Sequence, residues 1–171
     1  MHKTGLEDYY VIKGQKKMRF GYTTGSCAAA ASKAAVKMLL SGKKVEEISI
    51  MTPKGIRLSL IPEDICIDKD KASCAIRKDG GDDPDTTSGL LVYASAEKIS
   101  TPGILIDGGI GVGRVTKPGL SQQIGEAAIN PVPRAMIKKE AEEAAQEWDY
   151  EGGLKIIISV PEGEKTAQKT F

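Results

Sequence analysis

Four stretches of the chain combine residue types that could hold a reacting molecule. The first, Thr23-Thr24-Gly25-Ser26, opens an alanine-rich run starting at Cys27. At the start of a helix the first N–H groups lack intrahelical acceptors, and the positive end of the dipole favours an anion such as a carboxylate. Gly25 allows close approach and the hydroxyls add donors. The same residues also make an ordinary capped helix start, which the local pattern taken alone favours. The second stretch runs from Gly108 to Gly113 and is followed by Arg114 and Lys117. It fails the dinucleotide pattern, because reading from Gly109 and Gly111 the third glycine position holds Arg114. Gly109, Gly111 and Gly113 suit main chain running beside a flat ligand or another strand, or a tight turn. Arg114 and Lys117 are candidate carboxylate partners; solvated surface charge is the commoner fate of such residues.

The third stretch carries Asp79, Asp82, Asp83 and Asp85. Four carboxylates invite a hard cation, but the spacing is not that of an EF-hand loop, and Asp-Gly and Asp-Asp-Pro are turn formers in their own right. The turn reading outweighs metal, and no protein metal site is expected. In the fourth stretch, Asn130-Pro131-Val132-Pro133-Arg134, a capping asparagine precedes a helix whose first turn carries Arg134. That is the wrong end of a helix for a cation, which hints at another duty, such as gripping a carboxylate bidentately. Nucleophilic catalysis is poorly supplied. His2, the one histidine, lies near a terminus. Cys27 at a helix start is expected to have a lowered pKa, yet with no histidine to pair it reads as core filler. No G-x-x-x-x-G-K-[ST] phosphate loop is present.

Positioning these stretches requires a framework. Ala28, Ala31, Ala35 and Leu39 recur at helical spacing and predict a helix from Cys27 to Leu40, capped by Thr24 or Ser26 and closed by a left-handed Gly42. Val45–Met51 and Ile56–Ile61 flank Thr52-Pro53-Lys54-Gly55 and predict a hairpin. Ile65–Ile67, Ala72–Arg77, Leu90–Ala96 and Ile104–Asp107 read as strands. A second helix begins near Pro131 and ends before Gly152-Gly153, burying Met136, Ile137, Ala141, Ala144, Ala145 and Trp148. Leu154–Val160 reads as a buried strand, since Ile156-Ile157-Ile158 leaves no polar face. Strands come in clusters, so the fold class is α+β with a mixed or antiparallel sheet and a few packed helices. Residues 1–20 lack clear periodicity and are expected to form a strap or tail, ahead of one domain over 21–171.

Composition narrows the class further. The 171 residues carry 24 Lys plus Arg against 23 Asp plus Glu, and aromatic residues make up 5%. Balanced charge and few stacking rings argue against a nucleic-acid binder. No apolar run reaches the roughly 20 residues that span a bilayer, and the N-terminus lacks a signal-peptide core. Cys27, Cys66 and Cys74 form no CxxC pair, so a reducing cytoplasm is the expected setting.

Five stretches in order and register resemble the N-terminal part of the CbiD family. They are Phe20 to Ala30, Lys78 to Asp85, Asp107 to Leu120, Ala128 to Ile137, and Ser159 to Glu164 with Ala167 and Lys169-Thr170-Phe171. The resemblance implies S-adenosylmethionine-dependent C-methylation of cobalt-precorrin-5B to cobalt-precorrin-6A in oxygen-independent cobalamin biosynthesis. It also implies a fold that is neither Rossmann-type nor that of the usual tetrapyrrole methylases. Cobalt would lie within the substrate only. Members continue past a segment like Lys169-Thr170-Phe171, so part of their active site is expected beyond it.

Such a reaction asks for positioning more than covalent chemistry: donor and acceptor held in line, around a substrate rich in carboxylates. On that reading Thr23, Thr24, Gly25, Ser26, Gly109, Gly111, Gly113, Arg114, Lys117 and Arg134 bind the anionic tetrapyrrole. Asp79 or Asp82 accepts a proton or polarises a substrate group. Other cobalamin-pathway enzymes are possible partners, with no nucleic acid and no membrane. Two readings compete: a tetrapyrrole-binding or assembly module without chemistry, and a small-molecule enzyme placing phosphate at Thr23–Ser26.

Overall fold

The computed structural model describes residues 4–7, 10–13, 16–19, 23–79, 89–112 and 129–161. Its centre is helix α1, Thr24–Ser41. A helix buried on one side shows an apolar stripe, whereas one buried all round must be small and apolar throughout. Here Ala28 to Ala31, Ala34, Ala35, Val36 and Met38 are all buried. The physical reason is that α1 has neighbours on several sides: the sheet strands β6 and β7, the hairpin strand β3, and α2. Its cap is Thr23 rather than Thr24 or Ser26. Thr23 Oγ1 accepts the Ser26 N–H at 3.0 Å, which makes Ser26 a third-turn-position partner and not the cap. Gly42 closes the helix at φ 71°, with its N–H on the Met38 carbonyl, as expected.

Two further antiparallel pairs are short. β1 (Tyr10–Lys13) pairs with β2 (Lys16–Arg19), and β3 (Ile48–Met51) pairs with β4 (Arg57–Leu60). The β3–β4 hairpin is the one the Thr52–Gly55 turn predicts. The β1–β2 pair was not legible, because lysine-bearing strands of a two-stranded ribbon need no apolar alternation. Earlier in the chain, the Ser59 N–H donates to the Thr4 carbonyl at 2.8 Å and Leu6 is buried.

The main sheet has the order β5-β6-β7-β9-β8, formed by β5 (Glu63–Ile67), β6 (Lys71–Arg77), β7 (Leu91–Ile99), β8 (Ile104–Gly108) and β9 (Gly153–Ser159). Helix α2, Pro131–Glu147, connects β8 to β9, which lie parallel as a crossover connection requires. β9 therefore inserts between β7 and β8, antiparallel to β7. Alternation follows: Val92, Ala94 and Ala96 on β7 and Leu154, Ile156 and Ile158 on β9 are buried towards the helices. The architecture is α+β, as the strand clustering implies.

Two details of α2 differ from expectation. Trp148 is 48% exposed and does not anchor the core, because the buried stripe stops at Ala145 and the helix one residue before Trp148. Asn130 occupies the cap position but makes no side-chain cap hydrogen bond. Among the described residues, no helix is long and apolar enough to cross a membrane.

Candidate functional site

Antiparallel pairing fixes which ends of the elements coincide. Arg77 at the end of β6 lies opposite Leu91 at the start of β7, and Tyr93 lies opposite Ser159 at the end of β9. Gly108 at the end of β8 lies opposite Ile158. One end of the sheet thus carries the exit of β6, the entry of β7 and the exits of β8 and β9. Both helices begin there. A Cβ on Gly25 would stand 3.1 Å from Pro133 Cγ and 3.3 Å from its Cβ, so the starts of α1 and α2 touch.

Thr23 and Thr24 are exposed at this end, Gly25 is half-buried and Ser26 is buried. The Thr23 hydroxyl also donates to Ser26 Oγ at 3.1 Å. Ser26 N–H is taken by the cap and Cys27 N–H by the Thr23 carbonyl at 3.0 Å. The Thr24 and Gly25 N–H groups have no intrahelical acceptor, and the first turns of both helices hold no acidic residue. Pro131 and Pro133 remove two donors from the start of α2, leaving its positive character to Val132 N–H and the Arg134 guanidinium. Arg134 Nε donates to the Ile129 carbonyl at 2.9 Å, which fixes the plane of the group.

Asp79 follows β6 at the same end. At the start of α1, burial chiefly sets the Cys27 thiol, with Lys78 pulling its pKa down and Asp79, by less, pushing it up. Burial outweighs them and raises Cys27 to about 12. The expected lowering at a helix start does not occur, since desolvation of a thiolate exceeds what the dipole returns. Cys27 is core filler. Gly109 and Gly111 lie against the end of β9: a Cβ on Gly109 would meet Ser159 Oγ, and one on Gly111 the Val160 carbonyl. Glycine here serves close approach of two strand ends. Gly25, Arg134, Asp79, Gly109 and Gly111 therefore share one end of the molecule; Asp82, Gly113, Arg114 and Lys117 lie outside the described residues.

The contact at Gly25 leads to an expected result. Gly25→Ala needs Pro133 to give by a few tenths of an ångström, and Gly25→Val pushes the helix starts apart. Thermal unfolding should show a small loss for alanine and about 1–3 kcal/mol for valine. Equal, negligible effects would mean the helices do not rely on this contact.

Sequence reasoning missed two groups. Tyr93 OH donates to Asp64 Oδ2 at 2.6 Å, a bond that raises the phenol's pKa, and Arg77 holds Glu63 at 3.1 Å. These tie β5 across β6 to β7 at the same end of the sheet, and no local pattern announces them. Glu140 is buried, with Oε2 3.1 Å from Lys33 Nζ. Its spacing to Ile137, Ala141 and Ala144 places it on the buried stripe and could have revealed it. Among the described residues no cluster of three or more His, Cys, Asp or Glu could hold a metal.

The CbiD family model matches residues 11–171, and the chain belongs to that family. It is 50% identical over 162 residues to the cobalt-precorrin-5B C(1)-methyltransferase of Ruminiclostridium cellulolyticum, covering 95% of this chain and 42% of that one. The cobalt-precorrin-5B C(1)-methyltransferase of Thermoanaerobacter sp. is 53% identical over 164 residues, with 96% and 44% covered. The crystal structure of a cobalamin biosynthesis protein (CbiD) from Archaeoglobus fulgidus superposes with a TM-score of 0.66 at 32% identity, covering 98% of this chain and 51% of that chain. The chain thus spans less than half the length of these curated relatives.

Proposed function

We propose that this chain forms the acceptor-binding part of a cobalt-precorrin-5B C(1)-methyltransferase, which methylates an anionic cobalt corrinoid at the expense of S-adenosylmethionine. The observation carrying the reading is the meeting of the α1 start, the α2 start and the β8 and β9 exits at one end of the sheet. Two helix starts without acidic residues, together with Arg134, favour the carboxylates on the rim of the macrocycle. Gly109 and Gly111 hold the 109–112 main chain against the end of β9, which presents Ile110, 68% exposed, to the macrocycle as an apolar contact. Gly113, Arg114 and Lys117 follow on the same stretch and are assigned to the same duty.

The donor supplies an electrophilic methyl group bound to a sulfonium. The chain's own residues bind and orient: Thr24 and Gly25 N–H with Arg134 hold carboxylates, and Asp79 or Asp82 polarises or takes a proton from a substrate group. Repulsion between Asp79 and the substrate carboxylates would keep those carboxylates on the Arg134 side.

Titration with cobalt-precorrin-5B, followed by its absorbance, tests this. Arg134→Ala should raise Kd by about tenfold or more, as loss of a charge-assisted hydrogen bond of about 1.5–3 kcal/mol implies. Arg134→Lys should recover only part, because the bidentate fork is gone. Unchanged affinity in a folded Arg134→Ala removes that residue from the site. Macrocycle binding with no donor binding and no turnover would instead favour a binding module.

A further inference from the structure

The main sheet ends on β8, and among the described residues no strand pairs with its outer side. Register shows which main-chain groups that edge presents. The Leu154 N–H donates to the Gly103 carbonyl at 2.9 Å, and the Gly109 N–H to the Ile158 carbonyl at 2.7 Å. In a parallel pair, alternate residues of a strand bond to a given neighbour. Leu105 therefore turns its main-chain groups to β9, and Ile104 and Ile106 turn theirs outward. Proline and charge, the usual protections of a sheet edge, are absent from Ile104-Leu105-Ile106. Beside this edge runs a groove of about 640 Å³ along the later half of α2, lined by Ile99, Pro102, Leu105, Lys138, Ala145 and Tyr150, among others. Two large exposed apolar side chains belong to the same region. Leu105 is 53% exposed, and Trp148, 48% exposed, directly follows the helix end that lines the groove.

Outward N–H and carbonyl groups beside a partly apolar groove suit an added polypeptide strand. Main-chain hydrogen bonds give the affinity, and the groove takes alternate side chains. A small molecule would use the groove but leave the Ile104 and Ile106 groups and Trp148 unanswered. The family supplies the occupant. This chain matches the N-terminal part of its curated relatives and covers 42% and 44% of the two described above. The greater part of a full-length member is thus a further stretch of polypeptide that follows these elements. We infer that the β8 edge and its groove dock the C-terminal part of the family polypeptide, which adds a strand to β8 and covers Leu105 and Trp148. The inference rests on membership of the family and not on the macrocycle site, which lies at the start of α2.

Coexpression of this chain with the C-terminal part of the Ruminiclostridium cellulolyticum methyltransferase, the part beyond its match to this chain, tests the assignment. The two should copurify as a complex. Hydrogen exchange at the Ile104 and Ile106 N–H groups should slow in that complex relative to the chain alone. Exchange at Leu105, whose N–H already faces β9, should change little. Leu105→Lys and Trp148→Ser alter exposed side chains and should leave thermal unfolding of this chain unchanged. Each should nevertheless raise the Kd of the complex by about tenfold or more. The exchange measurement needs no variant, so it decides the matter even if one of them folds poorly. Failure of the two parts to associate, a complex indifferent to both variants, or no protection gained at Ile104 and Ile106 overturns the assignment. Sedimentation of the chain alone gives the remaining outcome. A dimer that Leu105→Lys breaks would make a second copy the occupant, and would overturn it as well.

Discussion

Lys33→Met is expected to destabilise the fold by about 3 kcal/mol or more, the range for removing one partner of a buried ion pair. Lys33 links three elements at once: it rises from α1, donates to the Ser49 carbonyl on β3 and faces Glu140 and Glu143 on α2. Without it, Glu140 is left as a carboxylate in an apolar interface, next to a second carboxylate. At about 2–4 °C per kcal/mol for a chain of this size, Tm should fall by roughly 10 °C. Lys33→Met combined with Glu140→Leu should recover much of the loss, because apolar replacement of the whole pair removes the desolvation penalty.

The pH dependence of Lys33→Met follows from the same geometry. Burial, chiefly, and the nearby Glu143 already raise the Glu140 pKa, with Lys33 opposing them. A carboxyl whose folded pKa lies above its unfolded value binds protons more tightly when folded. Its contribution to stability is therefore full below the unfolded pKa and is lost as pH rises through the folded one. In Lys33→Met the opposing charge is gone, so the shift widens. The variant's deficit should be smallest near pH 4 and grow towards neutrality, which denaturant titration at several pH values would show. A deficit independent of pH would mean that Glu140 stays protonated or reaches water.

Much of the framework was legible because each signal was local. The cap, the alanines and Gly42 delimit α1 within a few residues, and the Thr52–Gly55 turn delimits its hairpin. Ile156-Ile157-Ile158 marks a strand with neighbours on both sides, and β9 is indeed flanked by β7 and β8. What local pattern could not supply was pairing between distant segments. The insertion of β9 depends on where the α2 crossover returns the chain. Burial of Glu140 depends on a lysine of another helix, and exposure of Trp148 depends on the helix ending just before it. The glycines of the site show the same division. Gly25 suits close approach of a ligand by its position at a helix start, and its close contact with Pro133 depends on a distant segment that no local pattern names. Gly111 suits main chain running beside a flat ligand or another strand, and in the structure it lies against the main chain at the end of β9.

Gly111→Ala should therefore perturb both fold and site. Gly111 has φ 79°, the left-handed region, and a Cβ there would overlap the Val160 carbonyl. The left-handed conformation alone costs a non-glycine residue about 1 kcal/mol. The overlap adds more, because the obstacle is main chain and cannot rotate away. Relief requires moving the 109–112 segment off β9, where the Gly109 N–H donates to the Ile158 carbonyl at 2.7 Å and the Val160 N–H to the Ile110 carbonyl at 2.8 Å. A total of about 2–4 kcal/mol follows, in the range of variants that strain a special backbone position. Hydrogen exchange should show Gly109 and Val160 losing protection while Ala94 and Ile156, in the middle of the sheet, stay protected. Displacing this segment also moves Ile110 and the glycine-flanked surface proposed to lie under the macrocycle. The corrinoid affinity should then fall by about tenfold or more, beyond any effect of global unfolding. Wild-type exchange at Gly109 and Val160 would show that the segment is not held to β9. Lost protection with unchanged corrinoid affinity would instead detach it from the binding surface, and leave the two helix starts and Arg134 to hold the macrocycle alone.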